Sequence, residues 1–284
     1  MREQKPGDNA PPCSDPQSDL SSKPSAEIII SSLFKHYDLD SGRALEVLKG
    51  ISFEIPQGQF VSIVGPSGCG KSTLLNIFAG LQSATSGAVL VDGKEVSGPG
   101  RDRGMVFQED AILPWRKVRK NIEYGLELQH IPKKDRQRIS DIYIDLVRLT
   151  GFADVLPKEL SGGMKKRVAI AMVLANEPKI LLMDEPFGSL DYATKVNLQN
   201  VLLDLLEKKQ RTTVFVTHDI EEAVFLSDRV VVLRDGHIED DIPIDLARPR
   251  QDDMRTTPSF QELKERIWSY IAGDSDSLSL PEAG

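Results

Sequence analysis

No run in this 284-residue chain approaches the roughly 18 consecutive apolar residues that a spanning helix needs, so the chain is expected not to cross a membrane by itself. Its opening, MREQKPGDNAPP, holds no apolar segment and does not read as a secretory signal. Cysteine is nearly absent. Cys13 lies in a Pro/Ser-rich stretch and Cys69 in a glycine-rich one, which excludes a disulfide framework and points to a reducing cytosol. Basic residues are not in excess: Lys+Arg number 35 against 43 Asp+Glu, a net charge of -8 that argues against a general nucleic-acid binder and leaves room only for a local basic groove. There is no internal repeat and no heptad run. With 40% hydrophobic and 27% charged residues a packed core is within reach, and whole-chain disorder is excluded. The length fits one domain, or one domain with an embedded subdomain.

Residues 1–25 carry Pro6, Pro11, Pro12, Pro16 and Pro24 among serines and charges and are expected to form a disordered tail. Order is expected to begin near Ala26. From there short β-rich runs alternate with helix-length segments: Phe60–Val64, Gly104–Phe107, Ile180–Met183, Thr213–Val216 and Val230–Leu233. Such runs predict buried strands of a mainly parallel sheet. Between about 110 and 176 the pattern turns helical. Ile139, Ile142, Leu146 and Leu149 recur at steps of three and four, which predicts one helix face within an all-helical insert. After Asp245, Arg248-Pro249-Arg250 breaks the pattern. Residues 246–284 read as an extension with one helix, roughly Ser259 to Ile271.

Gly65-Pro66-Ser67-Gly68-Cys69-Gly70-Lys71-Ser72 fits the phosphate-loop pattern, with a β-rich run before it and a helical pattern opening at Thr73. Glycines let successive N–H groups face an anion, and the helix N-terminus adds its positive end. Lys71 is expected to reach the β- and γ-phosphates, and the Ser72 hydroxyl to ligate Mg²⁺. Cys69, at that helix start, is expected to gain thiolate character. The run Ile180–Met183 ends in Asp184 and Glu185. Beside a phosphate loop, Asp184 is placed to hold Mg²⁺ through water and Glu185 to act as general base; alone, the pair reads as an acidic strand end. His218 ends another strand at the same sheet edge, poised for the γ-phosphate or for Glu185. Ser161-Gly162-Gly163 precedes a basic helical stretch and forms a second anion-binding helix start. One nucleotide has no need of two such starts. Two make sense if each serves a different copy of the chain.

In this order the motifs resemble the nucleotide-binding subunits of ABC (ATP-binding cassette) transporters, across nearly all of Ile28 to Ile244. The family implies an α/β fold: a P-loop NTPase (RecA-like) core with a mainly parallel sheet, an N-terminal antiparallel β subdomain and an inserted α-helical subdomain. The ATPase domain is then residues 26–245. It also implies an ABC-type ATPase using ATP and Mg²⁺. Lys71, Ser72 and Thr73 would hold phosphates and metal. Gln108 would sense the metal in the Q-loop and relay to the membrane partner. Asp184 would bind metal and Glu185 would serve as base. His218 would anchor the γ-phosphate site, and Ser161, Gly162 and Gly163 would close over ATP bound to the partner cassette. Asp191, in the D-loop Ser189-Leu190-Asp191, would work across the dimer seam. Tyr37, 28 residues before Gly65, matches the aromatic that stacks on adenine; it reads otherwise as a surface strand tyrosine. Met164 departs from the family's usual Gln, so a contact from that position to nucleotide is in question.

Phe107 to Trp115, with Gln108-Glu109-Asp110 and Leu113-Pro114-Trp115, further resembles the nitrate, sulfonate, taurine and bicarbonate importer subgroup, as do Met in the signature and a stretch like Pro249 to Ile271. The resemblance implies a second copy of the chain or a paralogous cassette, two transmembrane permease subunits and indirectly a solute-binding protein, with no nucleic acid. It implies a peripheral location on the cytoplasmic face of the inner (plasma) membrane. Pro114 and Trp115 serve either permease docking or a plain turn and core. A soluble ABC ATPase of translation or DNA maintenance, or an exporter cassette, stays open as an alternative.

Overall fold

A computed structural model of the chain describes residues 26–39, 43–109, 111–188, 190–209 and 211–272. The tail expected over residues 1–25, and Asp110 and Ser189, lie outside the described residues. The chain opens with β1 (Ala26–Asp38), β2 (Ala44–Pro56), β3 (Phe60–Val64), α1 (Lys71–Ala79), β4 (Ser86–Val91), β5 (Lys94–Glu95) and β6 (Arg103–Val106). Four helices follow: α2 (Val118–Ile122), α3 (Tyr124–Leu128), α4 (Lys133–Leu146) and α5 (Gly162–Ala175). The remainder is β7 (Ile180–Asp184), α6 (Tyr192–Lys209), β8 (Thr212–Val216), α7 (Ile220–Leu226), β9 (Arg229–Arg234), β10 (His237–Pro243) and α8 (Pro258–Ala272).

The strands form two sheets. The first is antiparallel, in the order β2-β1-β4-β5, and the second runs β10-β9-β3-β8-β7-β6 with every pair parallel except β10 on β9. All five residues of β3, β7 and β8 are buried, as strands with structure on both faces must be. Their side chains alternate between two cores. Leu181, Met183 and Phe215 join the core shared with α4–α8, while Ile180, Leu182, Val214 and Val216 join the one shared with α1 and the antiparallel sheet. The five apolar runs of the sequence all occur as strands of the second sheet.

One detail of the helical insert differs from expectation. Ile142 is 55% exposed, and α4 ends at Leu146, so Leu149 is buried from the turn beyond the helix. The fully buried residues of α4 are Ser140, Tyr143 and Ile144, and Ile139 and Leu146 pack half-buried on the same core. At about 100° per residue Ile142 lies on the opposite side of the helix from the fully buried residues, which leaves it in solvent. A 3₁₀ turn, Asp252–Thr256, precedes α8 in the C-terminal extension.

Candidate nucleotide site

Four parallel strands deliver their carboxyl ends to one sheet edge. Ile63 lies beside Val216, Val216 beside Asp184, and Val106 beside Met183. The phosphate loop, Gln108, Glu185 and His218 all leave from these ends, where open α/β sheets gather ligands.

In the loop, the backbone curls back on itself. Gly70 has φ +104° as the N-cap of α1, and a Cβ there would stand 2.8 Å from Leu48 Cδ2 and 2.9 Å from the Val47 carbonyl oxygen. Only glycine lets β2 approach this closely. The buried Lys71 Nζ donates to the carbonyl oxygens of Gly65 and Pro66, both at 2.8 Å, which folds the ammonium over the loop. Ser67 and Gly68 are exposed at its tip, Ser72 is exposed and Thr73 half-buried. Cys69 is buried, and burial pushes its thiol up against the opposing pull of Lys71. The expected thiolate is therefore corrected. Desolvation outweighs the helix start and the nearby cation.

Asp184 is 6% exposed, and burial pushes its carboxyl up, opposed first by a hydrogen bond from Ser72. Its Oδ1 is buried without a hydrogen-bond partner among the described residues. A buried carboxylate oxygen left open beside a serine hydroxyl suits a hard cation that keeps water and phosphate oxygens as its other ligands. Among the described residues no group of three or more His, Cys, Asp or Glu could hold a metal by itself.

Glu185 has φ +44°, the left-handed region, at a cost of about 1–2 kcal/mol for a residue with a Cβ. Its N–H donates to the Val216 carbonyl at 2.9 Å, so the sheet holds the kink. The turn aims the carboxylate toward two partners: His218 Nδ1 lies 3.1 Å from Glu185 Oε2, and Gln108 Nε2 lies 3.3 Å from the same oxygen. His218 is exposed. Three residues that are 77 and 33 positions apart thus converge on one atom. His218 is steadied by its neighbours. Asp219 caps α7 through the N–H groups of Glu221 and Glu222, and Lys195 of α6 reaches Asp219 at 3.1 Å and Glu222 at 2.9 Å.

The Ser161-Gly162-Gly163 turn lies at the start of α5. Ser161 Oγ accepts from the Met164 N–H at 3.3 Å, a true N-cap. Ser161 and Gly162 are exposed, and the Met164 side chain packs inward on the larger core. Asp191 is exposed and accepts from the Thr194 N–H at 3.0 Å; that bond holds its carboxyl below the usual range. Tyr37 is half-buried. Its hydroxyl donates to Gln82 Oε1 at 2.8 Å, and the Lys35 ammonium sits 4.9 Å from its ring centroid.

Two buried polar residues near the site carry no motif. Lys166, 1% exposed, donates from Nζ to the carbonyl oxygens of Phe107 at 2.7 Å and Gln108 at 2.5 Å. Asn121, 0% exposed, accepts from the Leu113 N–H at 2.7 Å and donates to the carbonyls of Leu113, Arg116 and Lys117. A periodic signal exists for both. Lys166 stands four residues before Ile170 and eight before Leu174, on the buried stripe of α5, and Asn121 shares a stripe with Val118 and Ile122.

Residues 48–188 match the ABC transporter family. The chain is 47% identical over 234 residues to the nitrate import ATP-binding protein NrtD of Synechocystis sp., covering 80% of this chain and 88% of that one. It is 46% identical over 250 residues to the bicarbonate transport ATP-binding protein CmpC of Synechococcus elongatus, covering 86% of this chain and 38% of that relative. Among solved structures, an ATP-binding cassette in a dimeric, post-hydrolysis state bound to ADP and Pi superposes with a TM-score of 0.73 at 33% identity, over 78% of this chain and 100% of that one. The glycine loop, the strand-borne carboxylates and the serine-capped helix thus sit on the fold of a nucleotide cassette, and the chain belongs to the ATP-binding proteins of ABC transporters and is an ABC-type ATPase.

Proposed function

We propose that the chain energises an importer for a small anion or sulfonate, of the nitrate, sulfonate, taurine or bicarbonate type. It does so as a cassette dimer docked on two separate membrane subunits at the cytoplasmic face of the inner membrane. The ATPase domain is residues 26–245, with 246–284 as an extension. The observation that carries this reading is the meeting of Gln108, Glu185 and His218 beside the lysine-bearing loop, while the serine turn of α5 opens away to solvent. Lys71 and the N–H groups from Gly65 to Thr73 bind and orient the phosphates. Tyr37 offers a ring face to adenine. Ser72, Asp184 and Gln108 would hold Mg²⁺, which when bound neutralises charge on the transferring phosphoryl group. Glu185 accepts the proton of the attacking water, and His218 holds that carboxylate in place. Ser161, Gly162 and Gly163 close over the partner's ATP, and Asp191 meets the seam.

Docking on a permease is supported by an apolar cleft of about 390 Å³ beneath the Q-loop, lined among others by Met105, Phe107, Ala111, Tyr124, Leu128 and Met172. Leu128 and Trp115 stand exposed, Trp115 at 74%. Exposed apolar surface gathered beside a cleft is what a partner covers. No helix among the described residues is long and apolar enough to cross a membrane.

Glu185→Gln tests the dimer. It should lower hydrolysis by about 10²–10⁴-fold, keep ATP binding, and sediment as a dimer only with ATP. Adding Ser161→Arg, which fills the open turn, should return it to monomer with ATP still bound. An ATP-loaded Glu185→Gln protein that stays monomeric, alone and with its permease, refutes the sandwich.

A further inference from the structure

Lys166 is a buried cation outside the phosphate loop, and its charge is felt at Asp184, where it works against the upward push of burial. Burying an ammonium carries an effective penalty of several kcal/mol unless hydrogen bonds offset it. Here it is the only charged member of the buried residues of α5, among Val168, Ile170 and Leu174. Two carbonyl oxygens of the Q-loop, on Phe107 and Gln108, receive it. A methionine would fill the same volume without that penalty, so packing alone gives no reason for lysine here. The two acceptors also matter for what they carry: Gln108 is the residue whose side chain reaches Glu185. Meanwhile α5 begins at the open Ser161 turn, little more than one turn before Lys166.

We infer that Lys166 is a positioning residue that ties the backbone of Gln108 to the helix bearing the serine turn, holding the Gln108 amide on Glu185. Through α5 it links the turn that closes on the partner's ATP to the glutamine that serves the chain's own ATP. This rests on the nucleotide-site reading above. The clamp acts on hydrolysis rather than on the grip of the phosphate loop, to which neither Phe107 nor Gln108 belongs; because Gln108 and Asp184 also serve the metal in that reading, nucleotide affinity is compared without Mg²⁺.

A double-mutant cycle on the full chain tests it. Lys166→Met keeps the aliphatic stem and removes the donors; Gln108→Ala removes the positioned amide. Lys166→Met should lower kcat about tenfold with ATP affinity, read without Mg²⁺ by a fluorescent nucleotide, within twofold of wild type. Combining it with Gln108→Ala should add little beyond the larger single loss, since coupled residues are not additive. Lys166→Arg, which keeps the charge and donors, should recover most of the rate. Independent, multiplying losses in the double variant overturn the inference, and so does an unchanged kcat in Lys166→Met. If Lys166→Met does not fold, Lys166→Gln with a native melting curve takes its place in the cycle under the same criteria. Unaltered hydrolysis in both Gln108→Ala and Glu185→Gln would instead sink the site reading itself, which separates the two failures.

Discussion

Asn121→Ala removes a residue that touches none of the phosphate-site side chains, so its effect reports on the loop over residues 111–117 and on the docking cleft whose wall Asn121 joins. In the native chain the Asn121 amide makes four hydrogen bonds to that loop. The two shortest, at 2.7 Å, run to the Leu113 N–H and the Arg116 carbonyl, and the other two are 3.1 and 3.3 Å. Each bond contributes about 0.5–1.5 kcal/mol net, and a donor left buried and unpaired costs about 1–3 kcal/mol. Leu113 is only half-buried, so water regains part of what is lost. The two short bonds then dominate, and the expected loss is about 2–3 kcal/mol. For a domain of this size each kcal/mol lowers Tm by about 2–4 °C, so calorimetry should record a drop of about 4–12 °C. Basal hydrolysis should remain within about twofold, since the catalytic carboxylate and its partners come from strand ends that Asn121 does not touch. Capture of the permease should weaken markedly, because the loop presents Trp115. The loop keeps other anchors: Arg116 is bonded to Glu127 at 2.6 Å and stacked on Tyr124, Lys117 reaches Asp154 at 3.5 Å, and Ile112 packs on the larger core. A Tm within 1 °C of wild type refutes the template role, and a large Tm drop with full permease capture refutes the link between loop order and docking.

Lys71→Met should reduce ATP affinity at least about 30-fold, roughly 2 kcal/mol, measured by titration calorimetry; affinity within threefold of wild type would detach the lysine from the phosphates. Cys69 yields a pH prediction. Its folded thiol titrates above the unfolded one, so the stability it contributes is full below the ordinary thiol range near pH 8.5 and is lost as pH rises through the raised folded value. Alkylation should be slow at pH 7, should keep rising about tenfold per pH unit past pH 8.5, and should be blocked by ATP. A rate already at its plateau at pH 7, or one that ATP leaves unchanged, contradicts the placement.

Much of the site could be read from the chain because its parts are contiguous. A phosphate loop is eight neighbouring residues whose amides act together, and a strand that ends in Asp184-Glu185 announces itself by an apolar run followed by charge. Where only local periodicity was available, the reading was weaker. Ile142 matched the helical spacing of α4 yet faces solvent, since spacing fixes an angle around a helix and not which neighbour covers it. Cys69 sits at a helix start, where local reasoning favours a thiolate, but the packing of β2 against the loop removes the water that would stabilise the charge.

The sequence by itself determined the strands, the phosphate loop, the acidic pair and the order in which the motifs occur, because each of these depends on residues within a few positions of one another. Only the tertiary structure decided that Gln108, Glu185 and His218 share one oxygen atom, that Glu185 is held in a left-handed turn, and that Lys166 and Asn121 spend buried polar atoms on two loops of one segment. Those are long-range contacts. They follow from which strand lies beside which, and that is settled by burial of both sheet faces across the whole chain, a quantity that no short stretch contains.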